Sequence, residues 1–203
     1  GELTVIVGPS GCGKSTIVNL LAGFEKPDTG QVTVDDNQVM GPAQDRMVVF
    51  QETALIPWQT TLENVTFGPK MRGERKGPSL DKDAQDLLIK VGLGEFMHKY
   101  PIQLSGGMQR RAELARALIN EPTVMIMDEP TNHLDLESIT AFNNSLKNFK
   151  GTVLLTTHDH EFAQTVANRV VELTPNGIID RYTTFDEYMQ DDKIKVLREK
   201  MYS

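Results

Sequence analysis

Apolar residues along this chain gather into short unbroken runs separated by segments with helical spacing. Leu3-Thr4-Val5-Ile6-Val7, Val124-Met125-Ile126-Met127 and Val153-Leu154-Leu155-Thr156 are apolar on both side-chain parities. That pattern predicts strands covered on two faces, as in a parallel sheet. Residues 31–34 alternate instead, ahead of the turn-rich Asp35-Asp36-Asn37, and a further strand is expected over 46–51. Helical spacing sets in at Lys14, and Gly23 is placed to end that helix. Ala84, Leu87, Leu88 and Val91 fall at i, i+3, i+4 and i+7 ahead of Gly92. Leu114, Ala117 and Leu118 stripe another helix, capped by Ser105, and Ile139, Phe142 and Leu146 stripe the next. Asn176-Gly177 between the apolar runs 170–173 and 178–182 signals a hairpin, and a helical tail from Asp186 carries Ile194, Leu197 and Met201 on one face. The elements predict an α/β fold: a mostly parallel sheet flanked by helices, with a small antiparallel β region. A single domain is expected over 1–203, with its core in 1–60 and 104–185, an inserted helical subdomain over 61–103 and a C-terminal helical tail over 186–203.

Composition narrows the setting. A chain of 203 residues can bury a substantial core, and no apolar run approaches the length needed to span a bilayer, so a membrane role is expected to be peripheral. The net charge of −7 argues against a free-standing nucleic-acid binder. A lone Cys12 forms no intrachain disulfide, and with no signal peptide in the sequence a reducing cytoplasm is the expected compartment.

The chemistry centres on Gly8-Pro9-Ser10-Gly11-Cys12-Gly13-Lys14-Ser15-Thr16, a match to G-x-x-x-x-G-K-[ST] between a strand and a helix. Glycines there let successive N–H groups point into one concavity, and the helix adds its positive end, so a polyphosphate fits. Lys14 is placed to reach β- and γ-phosphates and Ser15 to coordinate Mg²⁺. Asp128 and Glu129 close a buried strand and read either as two solvated acids or as a Walker B pair. In the second reading Asp128 holds the Mg²⁺ shell and Glu129 polarises the attacking water. Gln51, at a strand end, is either a boundary residue or a ligand to Mg²⁺ or that water. His158, at the end of the next buried strand, is placed to contact the γ-phosphate.

In this order the motifs resemble the ATP-binding-cassette (ABC) family of P-loop ATPases. Gly8 to Thr16 resembles Walker A, Gln51 the Q-loop, Leu104-Ser105-Gly106-Gly107-Met108-Gln109 the signature, residues 124–129 Walker B, Asn132 to Asp135 the D-loop and His158 the switch histidine. The resemblance implies ATP and Mg²⁺ as ligands and ATP hydrolysis as the activity. It also implies two cassettes packed head to tail, as a homodimer or with a paired ABC domain. Ser105, Gly106 and Gly107 would then close over the γ-phosphate held by the partner's phosphate loop. Arg110, Arg111 and Arg116 are expected as solvated or salt-bridging helix charges.

Two branches of the family meet in the chain. Residues 1–128 resemble ATPase subunits of nitrate, sulfonate or taurine importers, notably through Leu55-Ile56-Pro57-Trp58 and Leu62-Glu63-Asn64-Val65. From Pro130 onward, Thr131-Asn132-His133-Leu134-Asp135, Thr157-His158-Asp159 and Phe185-Asp186-Glu187-Tyr188 resemble ABC-F proteins, which act on ribosomes. Such a composite suits a natural recombinant, an engineered chimera or a designed sequence. The leading expectation is an importer ATPase at the inner membrane face, paired with a membrane permease. The alternatives are a soluble ABC-F-like translation-associated ATPase and a truncated or engineered nucleotide-binding scaffold. The family's adenine-stacking aromatic precedes the phosphate loop, and the sequence begins too late to include it. Base–aromatic stacking is worth about 1–3 kcal/mol, so weak, base-indifferent binding is expected, roughly ten- to a hundredfold below the family's usual affinity.

Overall fold

The computed structural model describes residues 1–50, 52–73, 77–131, 136–147, 149–157 and 159–203, with the side chains of 136–138 and 147 left aside. Contacts divide the chain into two compact units. The first joins Gly1–Val48, Thr123–Pro130 and Lys150–Ser203, and the second joins Val49–Pro122 and Thr131–Phe149.

The strands are β1 (Leu3–Val7), β2 (Thr33–Val34), β3 (Asn37–Gln38), β4 (Arg46–Val49), β5 (Val124–Asp128), β6 (Thr152–Thr156), β7 (Arg169–Thr174) and β8 (Gly177–Arg181). The helices are α1 (Lys14–Ala22), α2 (Thr61–Arg72), α3 (Pro78–Lys90), α4 (Gly106–Leu118), α5 (Leu136–Lys147), α6 (His160–Val166), α7 (Phe185–Gln190) and α8 (Asp192–Tyr202). Six strands form one sheet in the order β4-β5-β6-β1-β7-β8. Pairing is parallel from β5 through β6 and β1 to β7, and antiparallel between β7 and β8. The apolar runs supply the centre of this sheet, where Val5, Ile126 and Leu155 are fully buried. Inserting β6 between β1 and β5 brings the Thr156 end of β6 alongside Asp128.

Helix α1 packs against β5 through Val18, Ala22 and Ile126, with Leu21, Val48 and Leu154 around them. Its C-cap, Gly23, has φ 80°, and a Cβ there would stand 2.4 Å from the Gly41 carbonyl group, so backbone conformation and close approach both require glycine. Ile126→Ala would hollow this contact and is expected to cost about 2–5 kcal/mol, read as a lower urea midpoint with an unchanged slope.

The expected alternating strand over 31–34 shortens to β2, which pairs with β3 across a two-residue turn. Asp35 and Asp36 both take positive φ there, as that turn type demands. The strand expected over 46–51 ends at Val49: the Phe50 carbonyl accepts instead from the Arg110 guanidinium, and Gln51 lies outside the described residues. The expected helical tail forms as two helices, because Asp191 ends α7 with an extended ψ of 118° and caps α8, accepting from the N–H groups of Lys193 and Ile194.

In the second unit, α2, α3 and α4 enclose Val65, Leu80, Ala84, Leu88, Val91 and Ala112, with Ile119 beside them. Thr60 and Glu63 form a capping box at the start of α2.

Candidate nucleotide site

Within the first unit, β1 delivers the chain into the loop Gly8 to Thr16. Gly8, Gly11 and Gly13 have φ of 150°, 78° and 101°. A Cβ on Gly8 would stand 2.7 Å from the Leu173 carbonyl oxygen and 2.8 Å from Cys12 Sγ, so this position admits no side chain. A cleft of about 180 Å³ is lined by Gly11, Gly13, Lys14, Ser15 and Thr16. Gly13 caps α1 without any side-chain acceptor, and the first turn carries no acid. The helix therefore presents its first N–H groups and the positive end of its dipole to whatever fills the cleft, which selects an anion. The Lys14 ammonium donates to the carbonyl oxygens of Gly8 (2.8 Å) and Pro9 (3.0 Å). Ser15 and Thr16 are exposed, as are Pro9 and Ser10.

At the C-terminal end of β5, Asp128 accepts from the Thr156 hydroxyl at 2.5 Å, which orients its carboxylate. Glu129 has φ +47°, a left-handed conformation that costs a non-glycine residue of order 1 kcal/mol or more. Its N–H donates to the Thr156 carbonyl (3.0 Å) and hydroxyl (3.3 Å), so the end of β6 holds both acids in place. Gln51, Asn132 to Asp135 and His158 lie outside the described residues. Flanking His158, the Thr157 hydroxyl accepts from Asp159 N–H (3.0 Å) and Asp159 caps α6.

The second unit holds the Leu104 to Gln109 segment. Ser105 has extended dihedrals, and its hydroxyl accepts from Met108 N–H at 3.2 Å, the N-cap expected from sequence. Ser105 and Gly106 are exposed and Gly107 is buried. A Cβ at Gly106 would meet nothing, and the first turn of α4 again lacks acids. This is a second open helix N-terminus. Gln109 ties it into the unit, donating to the carbonyls of Pro101 (2.9 Å) and Leu104 (3.2 Å) and accepting from Thr53 (3.1 Å).

Of the arginines of α4, expected as solvated or salt-bridging charges, Arg110 is salt-bridging, while the burial of Arg110 and Arg111 departs from a solvated face. Arg110 and Arg111 are buried: Arg110 pairs with buried Glu113 at 2.7 Å, and Arg111 donates to the Val91 carbonyl at 3.1 Å. Arg116 donates to the Ala54 carbonyl at 2.7 Å, and burial pulls its pKa down against the opposing pull of Glu113. Arg116 and Glu113, which accepts from Ala54 N–H at 3.1 Å, tie down the segment after Gln51, as does Asn64, whose amide bonds Ile56 N–H and the carbonyls of Ile56, Gln59 and Thr60. Sequence reading missed Asn64 and Glu113 because nothing local marks a polar residue whose partners are loop backbone.

The family model described as ABC transporter matches residues 1–132. The chain belongs to the ABC transporter family. A taurine import ATP-binding protein of Roseobacter denitrificans is 42% identical over 181 residues, covering 86% of this chain and 66% of the relative. A nitrate import ATP-binding protein of Synechococcus elongatus is 41% identical over 182 residues, covering 87% of this chain and 66% of the relative. The cassette thus spans just under two thirds of the length of these relatives. Matches of that length run well past Asp128, so the likeness to import proteins includes much of the half whose motifs resemble ABC-F proteins. A solved dimeric structure of a post-hydrolysis ATP-binding cassette bound to ADP and Pi superposes with TM-score 0.70 at 33% identity, covering 85% of this chain and 80% of that one. Among the described residues no helix is long and apolar enough to cross a membrane.

Proposed function

We propose that this cassette binds and hydrolyses ATP as the motor of an importer-type ABC transporter, working as an ATP-dependent dimer. The observation that carries the reading is the pair of acid-free helix N-termini, one opened by Gly13 with no side-chain cap and the other by the exposed Ser105, whose hydroxyl is the N-cap. The two fall in different compact units. Only the first belongs to a phosphate loop. An anion site without its own phosphate loop makes chemical sense when it serves a nucleotide held by a second cassette, as the solved post-hydrolysis dimer supports.

In this reading the loop N–H groups and Lys14 hold the β- and γ-phosphates. Glu129 polarises the attacking water, and Gln51 and His158 address that water and the γ-phosphate. Ser105, Gly106 and Gly107 of one cassette, with Asp135 of the D-loop, complete the site of the other. The all-oxygen donor set of Ser15, Asp128 and Gln51 fits Mg²⁺, which keeps waters and phosphate oxygens as its other ligands. When bound, the ion would neutralise charge on the β- and γ-phosphates. Hydrolysis replaces one shared anion by two separable ones and weakens the dimer.

The names of the taurine and nitrate import relatives support the importer reading, with the cassette peripheral on the cytoplasmic membrane face against a permease. Large exposed apolar side chains of the second unit, Trp58 (77% exposed), Met71 (71%) and Ile102 (92%), suit a protein partner there. The test is ATP turnover of the purified chain across protein concentration. The rate per chain should rise with concentration, since each site needs a second cassette, and a concentration-independent rate would overturn the dimer mechanism.

A further inference from the structure

Behind the phosphate loop the first unit buries a carboxylate that the proposed chemistry does not use. Glu172, on β7, is the register partner of Val7, the residue before Gly8, and is 2% exposed. It accepts from the Tyr188 hydroxyl (2.5 Å), the Tyr202 hydroxyl (2.9 Å) and Arg198 Nε, which lies 2.8 Å from Oε2 and 3.1 Å from Oε1. All three donors come from α7 and α8. Burial, then the bond to Glu172, pushes the pKa of both tyrosines up, so they stay protonated donors. Burial is the largest influence on Arg198 and disfavours its charge, but the bond to Glu172, the Glu172 charge and the two tyrosines together outweigh it and raise the pKa.

The strand that carries Glu172 also walls the phosphate loop. Leu173, next to Glu172, sets its carbonyl where a Gly8 side chain would stand, and the Gly8 and Pro9 carbonyls are the ones that hold Lys14. A cavity of about 340 Å³ separates the helix pair from the loop, lined by Val7, Gly8 and Pro9 on one side and Tyr188, Met189 and Arg198 on the other. The helix pair is held at two further places. The Phe185 ring meets His160 edge-on at 5.2 Å, and Asn176 N–H, in the hairpin turn, donates to the Met201 carbonyl at 3.3 Å.

We infer that α7–α8 is a latch on the phosphate loop and that Glu172 is a positioning residue for nucleotide binding, acting through Val7 and Gly8. A buried carboxylate is tolerated only while paired. When the helices lift, Glu172 loses every side-chain donor the structure gives it, and the end of β7 must relax toward water, carrying the wall against Gly8 with it. The docked latch and the binding-competent loop are therefore one state. Linkage then requires that nucleotide tighten the latch by the factor by which the latch tightens nucleotide.

The latch rests on the proposal that the loop binds ATP, and the full chain tests the two separately. In the unsubstituted protein, ATP should slow amide exchange in α8 relative to the nucleotide-free protein. Arg198→Met should raise the ATP Kd roughly five- to 150-fold, the usual span of such couplings, with kcat at saturation changed less than Kd. Tyr202→Phe, which removes one hydroxyl and no packing, should shift Kd the same way by less. Adding Glu172→Gln to Arg198→Met should restore part of the affinity, because the stranded charge is gone. Failure of the unsubstituted chain to bind ATP would overturn the nucleotide reading. ATP binding with α8 exchange indifferent to it, and with Kd unchanged in both single variants, would overturn the latch alone. So would a Kd in the double variant no better than in Arg198→Met, since that marks a general loss of packing.

Discussion

Glu129→Gln is expected to lower ATP turnover by about 10²–10⁴-fold while leaving ATP affinity within a few-fold of the unsubstituted protein. The argument starts from the backbone. Glu129 sits at φ +47° with its N–H bonded to Thr156 at the end of β6, so its position is set by main-chain contacts that glutamine leaves intact. The amide matches the carboxylate in shape but takes no proton from water. Binding energy is retained and only the transition state loses its partner. A cassette that binds ATP and cannot cleave it should also stay dimeric, so gel filtration with ATP should show a dimer that the unsubstituted chain does not accumulate. Turnover that survives the substitution would remove Glu129 from the base role. Equal loss of binding and turnover would instead mean that glutamine disturbs the strained turn.

The strands that position these acids were readable because burial on both faces leaves unbroken apolar runs, and β1, β5 and β6 each fall where such a run stands. Their order in the sheet was not, since an apolar run says that a strand is covered but not by which neighbour. Local chemistry was equally plain at Ser105 and Gly23, where the helix end itself dictates the residue. What local pattern left open has one cause. For Arg110 and Arg111 the pattern admits either a solvated or a salt-bridging charge, and only the fold, by bringing Phe50, Glu113 and Val91 to them, makes both buried. Glu172 looks like an ordinary residue of a hairpin strand, although an acid inside Val170-Val171-Glu172-Leu173 was a signal that a partner had to exist. That partner lies 16 to 30 residues on, across a hairpin and a helix break.

Lys14→Ala should act on the other half of the cycle. Its ammonium is the cation of the cleft lining, and its two bonds to the Gly8 and Pro9 carbonyls place it at the start of the loop, opposite the N–H groups that open α1. Alanine keeps helix propensity and keeps the glycine-shaped concavity, so the loop should still form. What it removes is a charge-assisted hydrogen bond to phosphate, worth about 1.5–3 kcal/mol, which corresponds to roughly a 10- to 150-fold weaker Kd for ATP by titration calorimetry. Arginine should not rescue it, because a planar fork cannot sit between two carbonyls of one tight loop as a compact ammonium does. Lost affinity should carry the ATP-dependent dimer away with it. The two substitutions therefore separate by their assembly: Glu129→Gln traps a dimer, whereas Lys14→Ala leaves monomers at ATP concentrations that saturate the unsubstituted chain. If Lys14→Ala binds ATP as tightly as before, the phosphate is held by backbone N–H groups and the helix dipole alone, and the lysine belongs to the loop's own closure through Gly8 and Pro9.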